Sequence, residues 1–129
     1  MTPEIIERVD AWIGARVPDG SGDPLAWLVS DWRRACTLWR YRRAKDPEDA
    51  SRAVASAEAA MVGLLLALVR EAWGDARASV TPERGRPGGE WACCVQPPAR
   101  QVGRMFVAGS EDEALVAALE AAPRREGST

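Results

Sequence analysis

At 129 residues the chain has the size of one domain and can close a core without disulfides or metal. A hydrophobic fraction of 47% with 28% charged residues argues against a disordered chain and against a membrane protein. The net charge of -2 gives no long-range field that would draw the whole molecule to nucleic acid or to an anionic membrane.

The first helix is predicted over residues 3–17. Thr2 stands as N-cap, Pro3 at the first helical position and Glu4 in the first turn, and Ile5, Ile6, Val9, Trp12 and Ile13 recur on one face. Pro18 to Gly22 reads as a loop, after which Asp23 and Pro24 repeat the cap-then-proline signal and open a helix over 24–45. Its main face is Leu25, Leu28, Val29, Trp32, Ala35, Cys36 and Trp39. Asp46, Pro47, Glu48 and Asp49 start a third helix over 47–73, with acids against the positive end of the helix dipole. Val54, Ala57, Met61, Leu64, Leu65, Leu68 and Trp73 lie on its inner side, and apolar neighbours all round make it the expected central helix. Gly63 is read as a place where another helix comes close. Beyond Gly74 the period shortens towards two, which predicts strands over 77–81, 90–96 and 101–108 in an antiparallel meander. Trp91, Cys93 and Val95 share one face there, and Val102 and Phe106 join it if the register allows. Ser110 to Glu113 forms a capping box for a last helix over 111–122 that buries Leu115, Ala118, Leu119 and Ala122. The expected architecture is α+β in the order ααα-βββ-α. N-terminal helices pack on a small sheet closed by the C-terminal helix, making one domain over residues 1–123 with a flexible tail from 124 to 129.

The chain has no histidine, which removes the commonest general base, the commonest zinc ligand and every Ser-His or Cys-His mechanism. Cys93 and Cys94 are adjacent and would point to opposite faces of a strand, so they cannot share an ion. All three cysteines are read as reduced, buried thiols of a cytoplasmic protein. The amino-terminal residues show no signal-peptide pattern, and the longest apolar run, Met61 to Val69, is short for a membrane span. The acidic clusters fall at helix starts, where capping accounts for them, and Gly85, Gly88 and Gly89 lie between strands with no helix N-terminus to hold phosphate. No catalytic residue, cofactor or metal is expected.

The second helix carries the chemistry that remains. At 100° per residue, Trp27, Arg34, Leu38 and Tyr41 fall opposite the core face, with Arg33 and Arg40 flanking. Two readings stay open: this second face is sandwiched between other elements, or it is an exposed aromatic and arginine surface of the kind enriched in protein interfaces. The same arginines could serve a single-stranded nucleic acid, but they spread around the helix and form no stripe.

Two resemblances follow from the C-terminal part. From Pro47 to Ala122 the order helix, three strands, helix resembles the double-stranded RNA-binding domain. That family has a basic cluster at the start of its last helix and a His-bearing loop after its first strand. Here Ser110-Glu111-Asp112-Glu113 and Glu83-Arg84-Gly85-Arg86-Pro87-Gly88 stand in those places, so RNA binding is not carried over. Trp73-Gly74, Trp91-Ala92-Cys93-Cys94-Val95 and the segment from Gly109 to Leu119 look like the small phage and prophage "ABA sandwich" domains, which implies a phage or mobile-element accessory protein. The expected function is a non-enzymatic interaction module that binds a protein partner and could inhibit it, as an anti-CRISPR protein does. The alternatives are a subunit of a larger assembly, homo-oligomers included, and an Arg-rich nucleic-acid binder.

Overall fold

The structure, a computed structural model, describes residues 1–17, 24–44, 47–83, 89–96 and 103–123, the side chains of 47–51 excepted. The chain forms α1 (Pro3–Arg16), α2 (Leu25–Ala44), α3 (Pro47–Trp73), β1 (Ser79–Pro82), β2 (Trp91–Val95), β3 (Arg104–Ala108) and α4 (Glu111–Glu120). This is the ααα-βββ-α order, an α+β fold with a three-stranded antiparallel sheet in the order β1-β2-β3.

Local chemistry sets the element ends. Thr2 caps α1 by accepting the Ile5 N–H at 3.4 Å, and Ser110 caps α4 by accepting the Glu113 N–H. α3 stops at Gly74, whose positive φ of 66° lets the Asp75 N–H donate to the Arg70 carbonyl at 2.9 Å and the Gly74 N–H to the Glu71 carbonyl. That is the Schellman pattern, and glycine alone enters it without a Cβ penalty. Asp75 then accepts the Arg77 N–H at 2.9 Å and the Gln96 N–H at 2.8 Å, tying the turn to the end of β2. Because Asp75 takes the Arg77 donor, Arg77 and Ala78 belong to the turn and β1 begins at Ser79, two residues later than the alternation predicts. β1 also runs one residue further, through Pro82, which pairs with Trp91 on an edge where a missing N–H is tolerated. The predicted loop at Pro18 to Gly22, the Asp23 and Asp46 caps, Val102 and the tail from 124 lie outside the described residues.

The core is one cluster drawn from every helix and from the sheet. Ile5, Ile6, Val9, Trp12 and Ile13 of α1 enter it, as do Leu25, Val29, Trp32, Cys36 and Trp39 of α2. α3 supplies Ala57, Met61, Leu65, Leu68, Val69, Ala72 and Trp73, and the sheet supplies Cys93 and Val95. Val54 and Leu64 of α3, placed on its inner side by the pattern, are half-buried at its margin. α4 is the middle layer: it packs on all three strands on one side and on α1 and α3 on the other, while α2 packs chiefly on α3. The N-terminal helices therefore reach the sheet mainly through α4. Ala114, Leu115, Val116, Ala118 and Leu119 are all buried because this short helix has a partner on both sides.

Gly63 departs from expectation. It lies on the exposed side of α3, and a Cβ there would meet nothing within 4 Å, so no helix approaches it. α3 is apolar all round in sequence yet one-sided in burial, with Ala55, Ser56, Ala59, Ala60 and Gly63 exposed. Its Arg52–Trp73 stretch is long and apolar enough to cross a membrane by length and composition.

Candidate functional site

The core face of α2 turns Trp32 and Trp39 inwards, where each indole N–H finds a carboxylate: Trp32 donates to Asp10 Oδ1 at 3.2 Å and Trp39 to Glu58 Oε1 at 2.9 Å. These bonds fix the rotation of α2, because a buried indole donor without a partner carries a desolvation cost. With the rotation fixed, helical periodicity sends the opposite stripe to solvent. Trp27 is 80% exposed, Tyr41 57% and Leu38 42%, and Arg33, Arg34 and Arg40 are exposed beside them. The sandwiched reading of this face is thereby overturned: α3 covers one side of α2, and no element among the described residues covers the other.

The six residues do not act alike. Trp27, Arg34, Leu38 and Tyr41 follow one another along a stripe about 21 Å long, the rise of fourteen helical residues. Arg33 and Arg40 lie to one side of it. No hydrogen bond or ion pair among the described residues engages the Arg33, Arg34 or Arg40 side chains. The other basic residues of the helix are committed to the fold. Arg42 donates to the Ala53 carbonyl at 2.9 Å, and the Arg43 guanidinium sits 4.5 Å from the Trp39 ring centroid. At its C-terminal end the stripe's flank opens into a groove of about 470 Å³ between α1 and α2, lined by Pro3, Ile6, Glu7, Trp39, Arg40 and Arg43. Its floor is apolar and its α2 wall is cationic.

A second groove, of about 680 Å³, lies at the end of the sheet between the α3–β1 turn and the β2–β3 ends. Asp75, Arg77, Cys94, Arg104 and Met105 line it. Asp75 is a structural carboxylate, since both its oxygens accept backbone N–H groups. Arg104 leans over the Phe106 ring at 5.0 Å and the Trp73 ring at 5.7 Å.

The cysteines divide. Cys36 and Cys93 are buried, and burial pushes their thiols up to about 12 and about 11, so both stay protonated and inert at neutral pH. Cys94 is exposed, which corrects the expectation of three buried thiols. The alternation of β2 dictates it, because Cys93 faces the core and its neighbour must face away. No group of three or more His, Cys, Asp or Glu residues with metal-binding geometry occurs among the described residues.

Sequence reasoning overlooked Asp112, which is buried beneath the start of α4. It receives the Ser110 hydroxyl at 2.5 Å and the Glu113 N–H at 3.0 Å, and its other oxygen lies 3.4 Å from the Met1 ammonium. The capping-box signal placed an acid here, and only the tertiary position of Met1 shows why it is held inside.

Comparison of the chain with protein-family models, with curated proteins and with solved structures finds no match in any of the three.

Proposed function

We propose that this domain works by contact, and that the outer face of α2 is the surface through which it holds a protein partner. The observation that supports this reading is the solvent-facing row of Trp27, Leu38 and Tyr41 interleaved with Arg34 and flanked by Arg33 and Arg40. Large aromatics and arginine dominate the energetics of protein interfaces, because each buries much area with few rotors and the guanidinium forks onto carboxylates. The partner that fits is a protein surface with an apolar groove for Trp27 and Leu38 and carboxylates at its rim. One of those carboxylates would settle against Arg40 at the mouth of the α1–α2 groove. A single-stranded nucleic acid is the weaker reading, since Arg42 and Arg43 are spent on the fold and the three remaining cations frame an apolar stripe. The phage and inhibitor roles draw no support from the fold or from the comparisons, and the proposal is confined to contact.

The test compares the wild type with Trp27→Ala and with Leu38→Ala/Tyr41→Ala in affinity capture from the native host, followed by titration of whatever is retained. These side chains lie outside the core, so circular dichroism is expected to show each variant folded while affinity falls about 10-fold or more. Capture that survives both variants refutes the assignment of this face. Retained oligonucleotide whose affinity collapses with salt, in place of a protein, favours the nucleic-acid reading.

A further inference from the structure

The two edges of the sheet are chemically unlike. β1 ends in Pro82, which has no N–H to offer another strand and so blunts its own edge. β3 contains no proline, and among the described elements its main neighbours are β2 and α4. In an antiparallel edge strand alternate residues turn their N–H and C=O away from the sheet, leaving a row of unpaired groups. On the side facing away from α4, β3 shows solvent two apolar side chains, Met105 at 55% exposure and Val107 at 38%. Cys93 pairs with Phe106 and Val95 with Arg104, so Phe106 and Arg104 lie on the opposite, core-facing side.

We infer that β3 pairs with β3 of a second copy of this chain, antiparallel and centred on Phe106, joining two three-stranded sheets into one of six strands. The register follows from the side chains. Centring on Phe106 sets Met105 opposite Val107 of the second copy and Val107 opposite its Met105, while Arg104 meets Ala108. Centring on Met105 instead leaves Val107 opposite Gly103, and centring on Val107 leaves Met105 opposite Gly109. Only the Phe106 register matches both exposed apolar residues, and it sets no like charges against each other.

Charge complementarity selects the same occupant. α4 begins at Glu111, with two residues between it and the end of β3 at Ala108, and its first turn carries Glu111 and Glu113 outside the buried Asp112. With Arg104 opposite Ala108 of the second copy, its guanidinium lies on the face that α4 covers, beside the acidic first turn of the other α4. Two-fold symmetry repeats the contact in the reverse direction. A peptide laid along β3 could satisfy the backbone, but this reciprocal pairing of cation with acidic helix start belongs to a second copy.

Sedimentation velocity over a rising concentration series is the experiment. The wild type is expected to pass from monomer to dimer, Val107→Lys to weaken that dimer about 10-fold or more, and Arg104→Glu to weaken it likewise. Arg104→Glu combined with Glu113→Arg is expected to restore it. In a Cys94→Ser background, Met105→Cys/Val107→Cys should cross-link the dimer on air oxidation while each single cysteine does not, which reads out the register. Circular dichroism confirms the fold of each variant. A chain that stays monomeric at several hundred micromolar overturns the inference, as does a dimer indifferent to Val107→Lys. A dimer lost on Trp27→Ala but kept by Val107→Lys assigns self-association to α2 and overturns it too.

Discussion

Asp112 is buried to 8% exposure, and around it burial and bonding pull in opposite directions. Burial alone would push its carboxyl up. The Ser110 hydroxyl, the Met1 ammonium and the Glu113 N–H outweigh that and hold it below the usual carboxylate range. The folded chain therefore favours the ionised form more than the unfolded chain does. Its stabilising contribution is complete above the ordinary aspartate range and is lost as pH falls through the depressed folded value. Asp112→Asn is expected to cost about 1–3 kcal/mol at neutral pH and to flatten the loss of stability on the acid side, read from urea unfolding at a series of pH values. The sequence showed an acid in the first turn of α4 and assigned it to the capping box. That account was local: it reached Ser110 and the Glu113 N–H but not the Met1 ammonium, which lies more than a hundred residues away in the chain. Cys94 was misread for the opposite reason, since composition favoured burial while strand alternation, already in hand, required one of two adjacent cysteines to face outwards.

At the scale of the element, periodicity carried most of the information. The five apolar positions read on α1 and five of the seven on α2 are buried, because each helix has a single packing partner side and hydrophobicity there tracks contact. α3 broke the rule: it is apolar on more than one face, and composition could not say which side stays in water. Gly63 reads as a close-approach point because its surroundings are apolar, yet it faces solvent beside Ala59 and Ala60. Gly63→Ala follows as a prediction. The added methyl meets nothing within 4 Å in a regular helix, so the substitution is expected to stabilise the fold by about 1 kcal/mol, visible as a raised thermal midpoint. A lowered midpoint would mean that a neighbour does approach this side of α3. The second face of α2 was visible in the sequence as a stripe, but its exposure was not. It depended on how many elements pack against the helix, which no single helix records.

Across the whole molecule, α4 decides whether helices and sheet behave as one body. It is the shortest helix and the common neighbour of α1, α3 and all three strands, and the buried side chains form one cluster. Leu115, fully buried at this junction, is expected to cost about 2–5 kcal/mol when replaced by alanine. Far-UV circular dichroism and tryptophan fluorescence should follow a single coincident transition, since the indoles of Trp32 and Trp39 sit in the helical layers and that of Trp73 is bonded to the Ala118 carbonyl of α4. Two separated transitions would show helices and sheet melting apart.

The uneven accessibility of the thiols has a practical corollary. With Cys36 and Cys93 sealed and protonated, a maleimide dye applied to the native protein is directed to Cys94, on the solvent side of the sheet and cross-strand from Met105. A fluorophore there would brighten or quench when anything settles along the neighbouring strand, and it stands on a different element from α2. One label on the unmutated chain could thus tell occupancy of the sheet apart from occupancy of the helix.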